Sequence, residues 1–186
     1  MSNYLNNQFL IAMPMLTDKD FFHTVTYLCQ HNDDGALGII INRPTEMKLG
    51  DIFSQMGIDN ATEKSRKTPI YMGGPVQVER GFVIHESSST HWESSIAISE
   101  EVSLTSSRDI LEAISKNEGP ENYLIALGYA GWGAGQLEKE IINNAWLNTP
   151  YADAILYETP ISQRWNAAAN LIGVDINLLS STAGHG

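Results

Sequence analysis

Between Asn122 and Asn144 the chain reads NYLIALGYAGWGAGQLEKEIINN, and no other stretch limits the possible folds as strongly. Tyr123 to Leu127 is a short apolar run with little polar interruption, the pattern of a strand covered on both faces. Gly128, Gly131, Gly133 and Gly135 then punctuate eight residues, so the backbone there is free to take positive φ or to approach a neighbour closely. Leu137, Ile141 and Ile142 resume at helical spacing, with Glu138 and Glu140 facing away. The expected unit is strand, glycine turn, helix, and a strand buried on both faces belongs in the middle of a sheet.

The rest of the chain supplies strands to surround it. Phe9 to Met13 predicts a first strand, and Thr17 with Asp20 a capping box opening a short helix from Asp18 to His23. Residues 24–42 predict a hairpin: Val25, Tyr27 and Cys29 alternate with more polar neighbours, Asn32 to Gly35 turn the chain, and Ala36 to Asn42 returns it. Arg43-Pro44 ends that strand. Leu49, Ile52, Phe53 and Met56 fall on one face of a helix stopped by Gly57, and Asp59 to Thr68 reads as a mobile loop. Further strands are expected at Ile70–Met72, Gly81–His85, Trp92–Ile98, Val102–Leu104 and Ala154–Tyr157. One helix is expected after Ser106 or Ser107, carrying Ile110, Leu111 and Ile114. Another follows Thr159-Pro160 and carries Ile161, Trp165, Ala168 and Ile172, and Ser180 to Gly186 is a tail expected to fray. Strands in succession with irregularly placed helices predict an α+β fold with a mixed, largely antiparallel sheet, without the regular βαβ rhythm of a doubly wound protein.

At 186 residues and 42% hydrophobic, the chain suits one ordered domain able to bury its own core. Cys29 is the sole cysteine, which excludes an internal disulfide and points to a reducing cytosol. The apolar run Phe9 to Met13 has no basic residue before it and closes at Pro14, so it reads as a strand and not as a signal peptide. Twenty-two acidic against 11 basic side chains leave a net charge of -11, which repels nucleic-acid backbones and anionic lipid alike. Direct nucleic-acid binding and membrane association are disfavoured on that ground.

Candidate chemistry is thin. The Gly128–Gly135 segment feeding a helix resembles a phosphate cradle, but its spacing fits neither the dinucleotide nor the P-loop pattern, and with Gly135 as N-cap the Glu138 carboxylate stands where an anion would bind. Ser106 and Ser107 with His85 and Asp109 form a hydrolase triad only on paper, because helix capping accounts for them. His31 follows Cys29 at a spacing that would share one strand face, a thiol–base couple, yet Cys29 also sits with Val25 and Tyr27, which favours a buried, inert thiol. The five histidines show no metal-ligand spacing, and no cofactor motif is present. Arg43, Gly73 and Gly74, and the segment Gly131, Trp132 and Gln136 sit just beyond strand ends, where loops on a rigid sheet tend to bind ligands.

Five ordered blocks, GALGIIINRP (35–44), PIYMGGPV (69–76), GFVIH (81–85), SLTSSRDILEAI (103–114) and LGYAGWGAGQLEKEI (127–141), together resemble the YqgE/AlgH family of bacterial proteins. The likeness runs from the first strand to the closing Ala183-Gly184-His185. It implies a cytosolic α+β protein whose sheet is mixed and partly barrel-like and is flanked by helices. It carries no established catalytic residues, only a link to regulation in some members. The expectation is a non-catalytic binding or regulatory protein that meets a protein partner or small ligand around Arg43, Gly73-Gly74 and Gly131 to Gln136. The alternative is an enzyme working through Cys29/His31 or Ser106/His85.

Overall fold

The computed structural model describes residues 3–181. Its organising strand is the expected one, at Tyr123–Gly133 (β9). Leu124 and Ala126 point into one core and Ile125 and Leu127 into another, the two-faced burial that the unbroken apolar run foretold. The sheet order is β10-β1-β2-β3-β9-β6-β8-β7. In chain order these are β1 (Gln8–Ala12), β2 (Val25–Asn32), β3 (Gly35–Ile40), β6 (Val76–Glu86), β7 (Ser95–Ala97), β8 (Val102–Thr105) and β10 (Trp146–Pro150). All these neighbours are antiparallel. One parallel pair makes the sheet mixed: β5 (Pro69–Met72) runs alongside Ile125–Leu127, with β4 (Pro44–Lys48) paired to its outer edge.

Along β9 the partner changes from β5 to β3, and the sheet curls there into a half-barrel. Gly128 takes φ 76° at the changeover, and Gly73 bridges the two partners, receiving a hydrogen bond from Ile40 N and donating one to Leu127 O. A Cβ on Gly74 would lie 2.0 Å from the carbonyl carbon of Tyr129, so this crossing closes only on glycine.

The inner face of the curl carries Tyr27, Ile39, Phe82, Ile84, Leu104 and Leu124, among others. Over it lie α5 (Asp153–Tyr157), a 3-10 turn at Ile161–Gln163, α6 (Arg164–Asn170) and α7 (Ile176–Ser181), through Ile155, Leu156, Trp165, Ala168 and Ile176. On the outer face, α4 (Gln136–Ile142) covers Leu10, Leu28, Trp132 and Trp146 through Leu137, and α1 (Leu49–Met56) and α3 (Arg108–Ser115) cover Ile70, Val83 and Ile125. Of the helices among the described residues, none is long and apolar enough to cross a membrane.

Several local expectations are corrected. The glycine-rich segment does not turn at Gly128 but stays in β9 to Gly133, because Gly128 lets the strand pass close to Gly74 and the pairing of 130–133 with β3 holds the rest extended. Asp18–His23 forms turns and no helix, held by the Asp18 carboxylate on Asp20 N and by Phe21, which packs against Trp132 and Trp146. The strand expected at Ala154–Tyr157 is α5: Ile155 and Leu156 are both buried in one cluster, and an apolar run this short does not distinguish the two conformations. The Trp92–Ile98 strand contracts to β7. The loop at 59–68 holds a short helix, α2 (Glu63–Arg66), whose Ser65 N donates to Thr62 Oγ1 at 3.2 Å. Of the tail expected from Ser180, Ser180 and Ser181 end α7, and the remainder, 182–186, with the closing Ala183-Gly184-His185, lies outside the described residues.

Candidate functional site

The two catalytic pairs suggested by the sequence are taken apart by the fold. Pairing slips between Leu28 and Gln30, which makes Cys29 the extra residue of a β-bulge. Gln30 then stands opposite Leu37 on the inner face, and alternation resumes with His31 opposite Ala36 on the outer face. There His31 Nδ1 accepts from Leu5 N at 3.0 Å, so Nε2 carries the proton that it donates to Glu138 Oε1 at 2.7 Å. The Glu138 carboxyl is held below its ordinary pKa by its own backbone amide at the start of α4 and then by His31. Cys29 remains inside beside Tyr27, its thiol donates to Tyr27 O, and burial pushes its pKa up, away from thiolate.

His85 is buried and does not meet Ser106. Its Nδ1–H donates to Glu86 O at 2.9 Å and its Nε2 lies 2.7 Å from Thr105 Oγ1, which donates to Ser95 Oγ at 2.9 Å. Burial lowers the imidazole pKa, so the ring stays neutral in this chain of hydroxyls. Ser106 Oγ instead receives a long 3.5 Å contact from Arg80. Ser107 and Asp109 form a stitch in place of a triad: Ser107 Oγ donates to Asp109 at 2.5 Å and accepts from Ser94 N, while Asp109 also accepts from Glu93 N. Among the described residues, no three of His, Cys, Asp and Glu stand close enough to hold a metal.

Five of the six expected binding residues, all but Gly131, carry structural contacts, and the set is dispersed over the molecule. Arg43 fastens the 18–23 turns to the sheet, donating to Lys19 O at 2.7 Å and Phe22 O at 2.8 Å. Gly73 and Gly74 lie in the sheet crossing, where an added Cβ would meet backbone atoms at 2.4 and 2.0 Å. Trp132 is a buried plug whose Nε1–H donates to Glu140 Oε2 at 2.7 Å, the same oxygen that takes Trp146 Nε1–H at 3.0 Å. Gln136 accepts from Gly133 N and donates to Glu140 Oε1, filling the space at the start of α4 with the protein's own groups. Gly131 and Trp132 do border a recess, and Arg43, Gly73, Gly74 and Gln136 line none of the recesses described below.

That recess is the feature least readable from the sequence. At the end of the half-barrel that α5–α7 leave open, two cavities of about 510 and 420 Å³ share Gln30, Leu37 and Tyr129 and form one groove. Its floor is Cys29, Leu37, Phe82, Leu104 and Tyr129, with the Tyr129 ring edge-on to Phe82. Its rim is polar at Arg80, Ser94, Ser95 and Ser106, and the Arg80 guanidinium lies 5.1 Å over the Phe82 ring. Pairing of β6 with β9 lapses between Val76 and Gly81, which leaves Val78 half-exposed. β7 is the free edge of the sheet and presents Ile96, 53% exposed. The groove thus sets an apolar floor beside the free side of an edge strand, with the neutral imidazole behind it and the thiol protonated.

The class defined by this architecture is an α+β half-barrel with an open-ended groove and inner-face helices. The chain belongs to the AlgH-like family, whose model matches residues 9–177. It is 58% identical over 185 residues to a UPF0301 protein of Methylococcus capsulatus, covering 100% of this chain and 98% of that one. Against a UPF0301 protein of Thioalkalivibrio sulfidiphilus it is 54% identical over 184 residues, covering 99% and 98%. The solution structure of the AlgH protein from Pseudomonas aeruginosa superposes with a TM-score of 0.81 at 45% identity, over 100% of this chain and 98% of that one. A crystal structure of a Corynebacterium diphtheriae protein shares the fold at a TM-score of 0.74 and 16% identity, covering 96% and 93%. The family resemblance and the partly barrel-like sheet expected from the sequence therefore hold.

Proposed function

We propose that this protein is a non-catalytic binding protein with a regulatory role, and that an extended segment of a protein partner occupies the groove at the open end of the half-barrel. The observation that carries this reading is the junction of the apolar floor (Leu37, Phe82, Tyr129) with the free edge of β7. A strand added to β7 would gain main-chain hydrogen bonds, and its inward side chains would reach the floor. The test compares partner binding by the wild type with Ile96→Asp and Val76→Asp, exposed positions on the groove wall whose substitution leaves the core intact. Loss of one and the same partner in both variants supports the reading, and retention of every detected partner in both refutes it.

A further inference from the structure

The inner face also holds a buried charge with no counter-ion among the described residues. Arg164 is only 5% exposed, yet among the described residues no carboxylate lies within 4 Å of its guanidinium. Its Nε–H donates to Thr159 O at 3.1 Å, its Nη1–H donates to Ile41 O, and its Cζ lies 5.2 Å over the Tyr71 ring. Nη2 makes no hydrogen bond to any described residue. Two neutral carbonyls and a ring face offset only part of the desolvation of a buried cation, which ordinarily sits against an anion.

Arg164 forms part of the wall of a recess of about 280 Å³ together with Thr68, Tyr71, Asn122, Tyr123 and Tyr157. The enclosed hydroxyl of Tyr157 faces the Tyr151 hydroxyl without a hydrogen bond of normal geometry, and burial raises its pKa so that it keeps its proton. Lys64 stands on the rim, exposed and without an ion-pair partner among the described residues. Glu121 is the one acidic side chain in the lining and is exposed on the rim. In a chain with net charge -11, a recess that gathers a buried guanidinium, an ammonium and a protonated phenol is set apart from its surroundings.

We propose that this recess binds the oxyanion group, carboxylate or phosphate, of a small metabolite, with Arg164 Nη2 and Tyr157 Oη donating to the anion, Lys64 closing over it and Leu124 and Leu156 meeting its apolar body. A planar fork of donors on a fixed arginine suits such oxyanions. The site is separate from the groove: along β9 it borders Leu124, whereas the groove borders Tyr129.

The experiment titrates the whole chain with inorganic phosphate, phenyl phosphate and benzoate by calorimetry at low chloride. The expected result is one-to-one binding of at least one probe, with phosphates and benzoate separating the two oxyanion classes. Arg164 also ties α6 to the sheet, so the decisive variants are Tyr157→Phe and Lys64→Gln, which leave those ties in place. Tyr157→Phe is expected to weaken binding about tenfold, as for one lost hydrogen bond to a charged group, and Lys64→Gln about threefold. Ile96→Asp, at the groove, leaves it unchanged, so failure here and failure of the groove are read separately. No binding of any probe at about 10 mM, weaker than any useful affinity, or binding that Tyr157→Phe does not alter, overturns the proposal.

Discussion

Replacing Gly74 with alanine tests whether the glycines at the sheet crossing serve the fold. The new Cβ would sit 2.0 Å from Tyr129 C, 2.2 Å from Tyr129 O and 2.3 Å from Ala130 N, all backbone atoms of β9. Side-chain carbons essentially never approach closer than 3.0 Å, so β9 or the 73–75 segment must shift by about 1 Å. That shift pulls on the bonds from Ile40 N to Gly73 O, 2.8 Å, and from Gly73 N to Leu127 O, 2.7 Å, which join β3, β5 and β9. Overpacking of roughly 1–3 kcal/mol and two weakened hydrogen bonds at about 1 kcal/mol each give a loss of about 3–5 kcal/mol. Gly57→Ala is the control: Gly57 has φ 69°, but no atom lies within 4 Å of its added Cβ, so only left-handed strain of about 1 kcal/mol is at stake. Urea unfolding of both variants, comparing midpoints at unchanged slope, measures the difference. If Gly74→Ala costs no more than Gly57→Ala, close approach at the crossing is not what requires glycine there.

Glu140→Leu should orphan both indole N–H groups, Trp132 and Trp146, and lower stability by about 2–4 kcal/mol, with a change in tryptophan emission, while Glu140→Gln loses less than half as much. Cys29 in the native protein should react with a thiol reagent near neutral pH only at the rate at which the chain opens, and rapidly in urea; fast native labelling would revive the thiol reading. For His85, burial lowers the folded pKa below the ordinary 6.5, so the unfolded chain binds more protons in the interval between the two values. Stability should therefore be fully present above about pH 6.5 and fall as the pH drops through the folded value, and His85→Gln should flatten that slope in pH-dependent unfolding.

Legibility followed the range of the interactions. The strand Tyr123–Leu127, the hairpin at 24–42 and the helix ended by Gly57 were readable because an apolar pattern and a turn signal a few residues apart suffice to specify each. Ala154–Tyr157 was not, since four residues carry too little periodicity to separate strand from helix. Gly135 capping α4, with Glu138 in its first turn, was also local and came through. The pairs Cys29/His31 and Ser106/His85 failed for one shared reason: which face a side chain takes depends on register with another strand, and the bulge at Cys29 has no sequence signature. The groove and the Arg164 recess were invisible in the same way, their walls drawn from segments such as 29–37, 80–82 and 93–106, or 64–71, 121–124 and 156–164.

The amino-acid order alone therefore determined which segments are extended, where glycine must break the chain, the acidic balance of the surface and the family to which the protein belongs. The tertiary structure decided that β9 changes partners at Gly128, that Trp132, Arg43 and Gly73-Gly74 serve as a plug, a clamp and a crossing, and that Arg164 is buried with no anion against it among the described residues. Backbone propensity and hydrophobic period act over a few residues and are written in the chain itself. Strand register, curl and the balance of buried charge arise only when residues far apart in sequence are packed into one volume.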